Sequence, residues 1–254
     1  MEKINQFSIQ RFNLLMKRFI MFNLKTWGIG LGAIAGILII IALLQAWATN
    51  GTGPLSMLIS LGQVMIFTGG YIITSMAYNE IHTPARSQFY LTLPATTLEK
   101  LFSHWIITSI VFVLLANILL MASLAVGSLL VNIGWGSPIE YYNPFTERNL
   151  QLMLIYVITQ SMFFLGALYF RKNNFLKTTL SLIVISLAFN IFSVLVAYLL
   201  FGSQMSGVED NFTNVGLETL FTETIPRISK ILFYGVLAPF CLLVSYFRLK
   251  EREV

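Results

Sequence analysis

The sequence predicts an all-α polytopic membrane protein with six transmembrane helices, an amphipathic N-terminal interfacial helix, and both termini inside. Three observations predict it. Of the 254 residues, 56% are hydrophobic and only 11% are charged, against about 25% charged in soluble domains. The mean hydropathy is +0.76, too apolar for a chain that must solvate its own surface. Lys and Arg are also distributed unevenly between the segments that join the apolar stretches, which sets orientation.

The first element is the amphipathic stretch 9–22 within the cytoplasmic segment 1–26. Ile9, Phe12, Leu15, Met16, Phe19, Ile20 and Phe22 fall on one helical face, and Gln10, Arg11, Asn13, Lys17 and Arg18 on the other. This pattern predicts a helix lying at the inner surface with its basic side toward anionic membrane lipid. It serves as an anchor, or as an anchor that also touches a cytoplasmic partner.

A crossing of the hydrocarbon core needs about 20 apolar residues. The stretches 28–48, 55–78, 103–131, 150–170, 178–202 and 231–247 meet that need. The third exceeds it, and the last is short enough to begin a few residues earlier. Ala46-Trp47-Ala48 resembles a signal-peptide cleavage site, but the apolar run before it is longer than the roughly 7–15 residues of a signal h-region. With both termini inside, only Arg148, Arg227 and Lys230 of the 16 Lys and Arg fall on the outer side. That arrangement follows the positive-inside rule.

The outer segments differ. Residues 49–54 form a tight turn with Gly51, Gly53 and Pro54. Residues 132–149 carry Trp135, Tyr141, Tyr142 and Phe145, aromatics suited to the headgroup level. The outer loop 203–229 contains Val215, Leu217, Leu220, Phe221 and Ile225, the pattern of a short interfacial helix ended by Pro226.

Several chemistries lack their residues. The spans carry no Asp, Glu, Lys or Arg, and His82 and His104 stand at the cytoplasmic edge. Ion-coupled carriers usually place ionisable groups within the membrane, so that class is weakened. No catalytic set and no metal cluster is predicted, and the lone Cys241 forms no internal disulfide. No G-x-x-x-x-G-K-[ST] phosphate loop occurs, so a nucleotide would have to be hydrolysed by another polypeptide. The basic residues form no cluster dense enough to follow a nucleic-acid backbone.

Inside the spans, Gly28, Gly32 and Gly36 form a tandem GxxxG. It predicts close helix packing, within the chain or with a second copy. Ser186, Asn190 and Ser193 form a polar stripe in the fifth span, and Ser56, Ser60 and Gln63 another in the second; Asn117 and Gln160 stand in the third and fourth. Such groups hydrogen-bond between helices or line a path for an amphiphile.

The insert 79–100 is the most structured connection. Thr83-Pro84 is a helix start, with Thr as N-cap and Pro at the first helical position. A helix over 84–91 follows and presents Arg86, Phe89 and Tyr90. Leu93-Pro94 breaks it. Thr96 and Glu99 then form a capping box that starts the third helix at about residue 97.

The segment Phe89-Tyr90-Leu91-Thr92-Leu93-Pro94-Ala95-Thr96-Thr97-Leu98-Glu99-Lys100 resembles the F-x-L-x-LP-[AV]-[ST]-x-x-E-K segment of permease subunits of ABC-2 type exporters. The six-span plan is similar as well. The resemblance implies a permease that pairs with a second permease chain, the same or different, and engages a separate ABC ATPase carrying ATP and Mg. It implies that 79–100 is the coupling segment, with Arg86, Phe89, Tyr90, Leu93 and Pro94 as contact residues. It also implies that the first and fifth helices bound the pathway. The alternative class is a non-transport scaffold, or an immunity or sensor protein that binds a ligand.

Overall fold

Residues 6–205 and 223–253 are described by a computed structural model. Helix α1 spans Ile9–Thr49, α2 Leu55–Ser75, α3 Asn79–His82, α4 Pro84–Leu91 and α5 Thr97–Ile106. Helix α6 spans Phe112–Trp135, α7 Glu147–Tyr169, α8 Asn174–Met205, α9 Ile225–Ile231 and α10 Leu237–Glu253. Single π-helical turns at Ile107–Val111 and Leu232–Val236 join α5 to α6 and α9 to α10. No strand occurs among the described residues. Among the described residues, six helices are long and apolar enough to cross a membrane: Ile9–Thr49, Leu55–Ser75, Thr97–Trp135, Glu147–Tyr169, Asn174–Val196 and Ile225–Arg252. The chain is an all-α, multi-pass membrane protein.

The amphipathic stretch 9–22 is not an element of its own. It continues into the first span as one helix of 41 residues, about 60 Å long at 1.5 Å per residue. Its expected division into faces is also corrected. Leu15 and Phe19 are buried, but Arg11 and Arg18 turn the same way, because each finds a carboxylate there: Glu99 at 2.9 Å and Glu80 at 2.8 Å. Ile9 and Phe22, on the apolar face of that pattern, are 70% and 64% exposed, as lipid-facing side chains are.

The third span is 39 residues long, as its excess length predicts, and the π-turn within it was not foreseen. The turn is accommodated by hydroxyls. Thr108 Oγ1 donates to the His104 carbonyl at 2.9 Å, and Ser109 Oγ to the Trp105 carbonyl at 2.6 Å. The Thr108 carbonyl accepts from the Tyr156 hydroxyl of α7 at 2.9 Å. Such bulges free backbone groups for partners outside their own helix.

The last span as described begins with α9, and Pro226, expected at the end of a helix, lies in the first turn of one. Of the interfacial helix expected in the 203–229 loop, Val215, Leu217, Leu220 and Phe221 lie outside the described residues.

Two apolar clusters hold the bundle. One joins Leu38, Ile66, Phe112, Leu120 and Tyr156 across α1, α2, α6 and α7. Here Gly70 lets α2 meet Tyr156 and Phe112, which a Cβ would strike. The other joins Phe19, Tyr78, Tyr90, Leu101, Phe164 and Leu249 at the end that carries α3 and α4. Helix α8 attaches through Asn174 and Thr178, both buried, and from Ile183 to Leu195 it is exposed throughout.

Candidate functional site

The insert closes one end of the bundle, and its three corners are tied to α1, α7 and α10. At the first corner, Glu80 of α3 accepts from Arg18 of α1. At the second, the two ring nitrogens of His82 reach two other helices. Nε2 lies 2.8 Å from the Ala167 carbonyl of α7, and Nδ1 lies 3.2 Å from Arg252 Nη1 of α10. The carbonyl can only accept and the guanidinium can only donate, so the neutral ring carries its proton on Nε2. Burial pushes the His82 imidazole below its usual value of 6.5, opposed by the Ala167 bond and reinforced by the Arg252 and Arg171 charges.

The third corner is the capping box. Thr96 Oγ1 accepts from the Glu99 amide at 3.2 Å, and Glu99 Oε2 accepts from the Thr96 amide at 2.8 Å. This is the arrangement the Thr-x-x-Glu spacing predicts. Glu99 does more than cap, however. Its side chain is fully buried and also accepts from the Ser8 amide at 2.6 Å and from Arg11. Burial raises its carboxyl, but the bonds from Arg11, Ser8 and Thr96 together with the Arg11 charge outweigh that, and the carboxyl sits below its ordinary value of 4.5.

Helix α4 starts at Pro84 after an extended Thr83, as expected, but the Thr83 hydroxyl turns back to the Asn79 carbonyl rather than capping α4. Of the contact residues expected on α4, Phe89 is 75% exposed. Tyr90 is corrected: it is 1% exposed and belongs to the core. Its ring meets Tyr78 and His104 edge-on, at 6.4 and 5.7 Å between centroids, with Lys100 Nζ 5.6 Å from its centre and the Arg18 guanidinium 5.9 Å away. Adjacent helical residues point about 100° apart, so burying Tyr90 turns Phe89 outward. Leu93 is half-buried against the same cluster, and Pro94 is exposed. The Arg86 side chain lies outside the description.

His104, expected at the cytoplasmic edge, is buried within the protein. It is 4% exposed, its ring stacks on Tyr78 at 5.0 Å, and its Nδ1 lies 2.9 Å from the Lys100 carbonyl. Tyr90, Tyr78, His104 and Arg18 therefore form one packed unit in which α4 rests on α1 and α5.

The polar residues within the spans divide into two groups. Gln160 is fully buried and donates to Thr108 at 2.8 Å and Thr74 at 3.2 Å, which joins α7 to the π-turn and to α2. Gln63 donates to Asn149 at 2.9 Å, and these bonds are interhelical ties. Asn117 accepts from Tyr142 at 3.1 Å, which fastens the segment after α6 back onto that helix. Ser186, Asn190 and Ser193 are all exposed on α8, and the Asn190 amide only returns to the Ser186 carbonyl at 2.7 Å. They line no path within this chain. Gly28, Gly32 and Gly36 also have open space at the Cβ position, so the intramolecular reading of the ladder falls away among the described residues.

Sequence reasoning missed Arg11, Arg18, Glu80, His82 and Arg252 as the ties of the insert. For Arg18–Glu80 and Arg11–Glu99, 62 and 88 residues apart, the sole advance signal was opposite charge, and the His82–Arg252 pair, 170 residues apart, had none. Among the described residues, no three His, Cys, Asp or Glu gather to hold a metal ion. Comparison with protein-family models, curated proteins and solved structures finds no match.

Proposed function

We propose that this chain is the membrane-spanning permease subunit of an ATP-driven ABC-2 type exporter, with its termini and the 79–100 insert in the cytoplasm of a bacterial inner membrane. The observation that carries the reading is the division of labour on α4: Tyr90 is buried among Tyr78, His104 and Arg18 while its neighbour Phe89 is 75% exposed. An exposed aromatic on a short, firmly seated helix suits capture by a pocket on another protein. The ties from α3 and from the start of α5 to α1, α7 and α10 suit a segment that must pass force into the bundle.

The mechanism follows from those ties. Two ABC ATPase subunits bind ATP and Mg and close on one another. Each moves a docked α4, and Tyr90 hands that movement to α1 through Arg18 and to α5 through His104. The outward-facing Gly28/Gly32/Gly36 ladder and the exposed Ser186/Asn190/Ser193 stripe meet a second permease chain, and the cargo, a hydrophobic or amphiphilic molecule, passes between the two copies. The purified chain alone hydrolyses no ATP, whereas the complex with its ATPase does. ATP hydrolysis by the isolated chain, or uptake driven by an ion gradient without ATP, overturns the reading.

A further inference from the structure

At the end opposite the insert, α1, α2 and α6 enclose a cavity of about 470 Å³, within the size range of small-molecule sites. Its wall is apolar where the helices meet, with Ala42, Leu58 and Leu124 buried against it. Its mouth is formed by the turn after α1 and the segment after α6, and this rim is fixed rather than loose. Ser137 Oγ donates to the Gly51 carbonyl at 2.7 Å, and Asn132 Nδ2 donates to the Ser137 carbonyl at 2.6 Å. Gly51 holds φ +83 against Trp135 and Ser137, a conformation and a closeness that a side chain would not allow. Gln45 Nε2 donates across the mouth to the Pro54 carbonyl at 3.1 Å.

The polar groups of the cavity are biased toward accepting. Among the described lining residues, Glu140 is the one carboxylate and none is Lys, Arg or His. An apolar chamber with a carboxylate at its mouth and no cation in its described lining calls for a ligand with an apolar body and a cationic head. We propose that this cavity binds cationic amphiphiles, with the alkyl part between α1, α2 and α6, the ammonium head at Glu140, and Trp135 beside it. The site is separate from the insert and does not depend on the exporter reading.

Trp135 supplies the readout, because a bromoalkyl chain held beside an indole quenches it. The purified chain in uncharged maltoside micelles is titrated with a bromoalkyl ammonium, a bromoalkyl sulfate and a bromoalkyl alcohol of one chain length. The signal is the quenching lost in Trp135→Phe. The ammonium is expected to quench saturably and about fivefold more tightly than the alcohol, the scale of one exposed ion pair, with the sulfate weakest. Glu140→Gln removes the preference for the ammonium while the alcohol still binds, and this variant at an exposed position keeps the fold intact. Ser128→Phe, which fills the chamber, abolishes saturable quenching by all three. Unsaturable quenching equal for the three compounds, equal saturable binding of all three, or a preference that survives in Glu140→Gln, overturns the proposal.

Discussion

Arg11 Nη2 and Glu99 Oε1 lie 2.9 Å apart although 88 residues separate them in the chain. The pair fastens the first turn of α1 to the first turn of α5. Because the carboxylate is fully buried and the guanidinium is partly exposed, losing either partner is costly. Arg11→Ala and Glu99→Ala are each expected to lower stability by about 1.5–3 kcal/mol, the range for hydrogen bonds to charged groups. The double variant should lose less than the sum. Unfolding in detergent checks this, and additive losses would show that the two side chains act independently.

The same carboxylate gives a pH dependence. Its folded value lies below the ordinary 4.5, so its stabilisation is fully present above about pH 4.5 and is lost as pH falls through the folded value. The stability difference between the wild type and Glu99→Gln should narrow on acidification through that window. A difference unchanged from pH 7 to pH 3 would contradict the pairing.

Histidine 82 acts at milder pH. Its folded value is depressed below 6.5, so the neutral ring contributes stability above that pH and loses it as pH falls toward the folded value. Protonation fills Nδ1 and sets a cation against Arg252. The wild type should therefore lose stability below about pH 6.5, and His82→Gln, which cannot charge, should lose less. Thermal unfolding at pH 7.5 and pH 5.5 compares the two.

Phe89 and Tyr90 are neighbours with opposite roles. Tyr90→Ala empties a core position and is expected to cost about 3–5 kcal/mol. Phe89→Ala alters an exposed site and should stay within about 0.5 kcal/mol of the wild type. Equal losses for the two variants in unfolding measurements would contradict the placement of α4.

The glycine ladder faces open space. Gly32→Leu is expected to leave the folded chain as stable as before while reducing association between permease chains, read by cysteine-free cross-linking or mass photometry. Loss of the monomer fold would instead place Gly32 in an internal contact.

Local signals in the sequence were read well. The apolar runs located all six spans, Thr83-Pro84 placed α4, and Thr96 with Glu99 placed the start of α5, because caps and apolar length act over a few residues. Tertiary pairings could not be read this way. Helical spacing put Arg11 and Arg18 on the face away from Leu15 and Phe19, but two carboxylates supplied from distant segments turn them inward. The same spacing listed Phe89 and Tyr90 together as exposed aromatics, and only the cage of Arg18, Tyr78 and His104 around Tyr90 separates them. The π-turn at Thr108 had no sequence signal beyond a Thr-Ser pair.

The most direct test of the central claim is recovery of an ATPase from the native membrane by the tagged chain, comparing the wild type with Phe89→Asp. The account predicts that the wild type brings down a P-loop ATPase and that Phe89→Asp, folded and inserted to the same level, recovers at least about tenfold less, the effect of losing roughly 1.4 kcal/mol of contact. Recovery of no such ATPase by the wild type, or equal recovery by both, would contradict it.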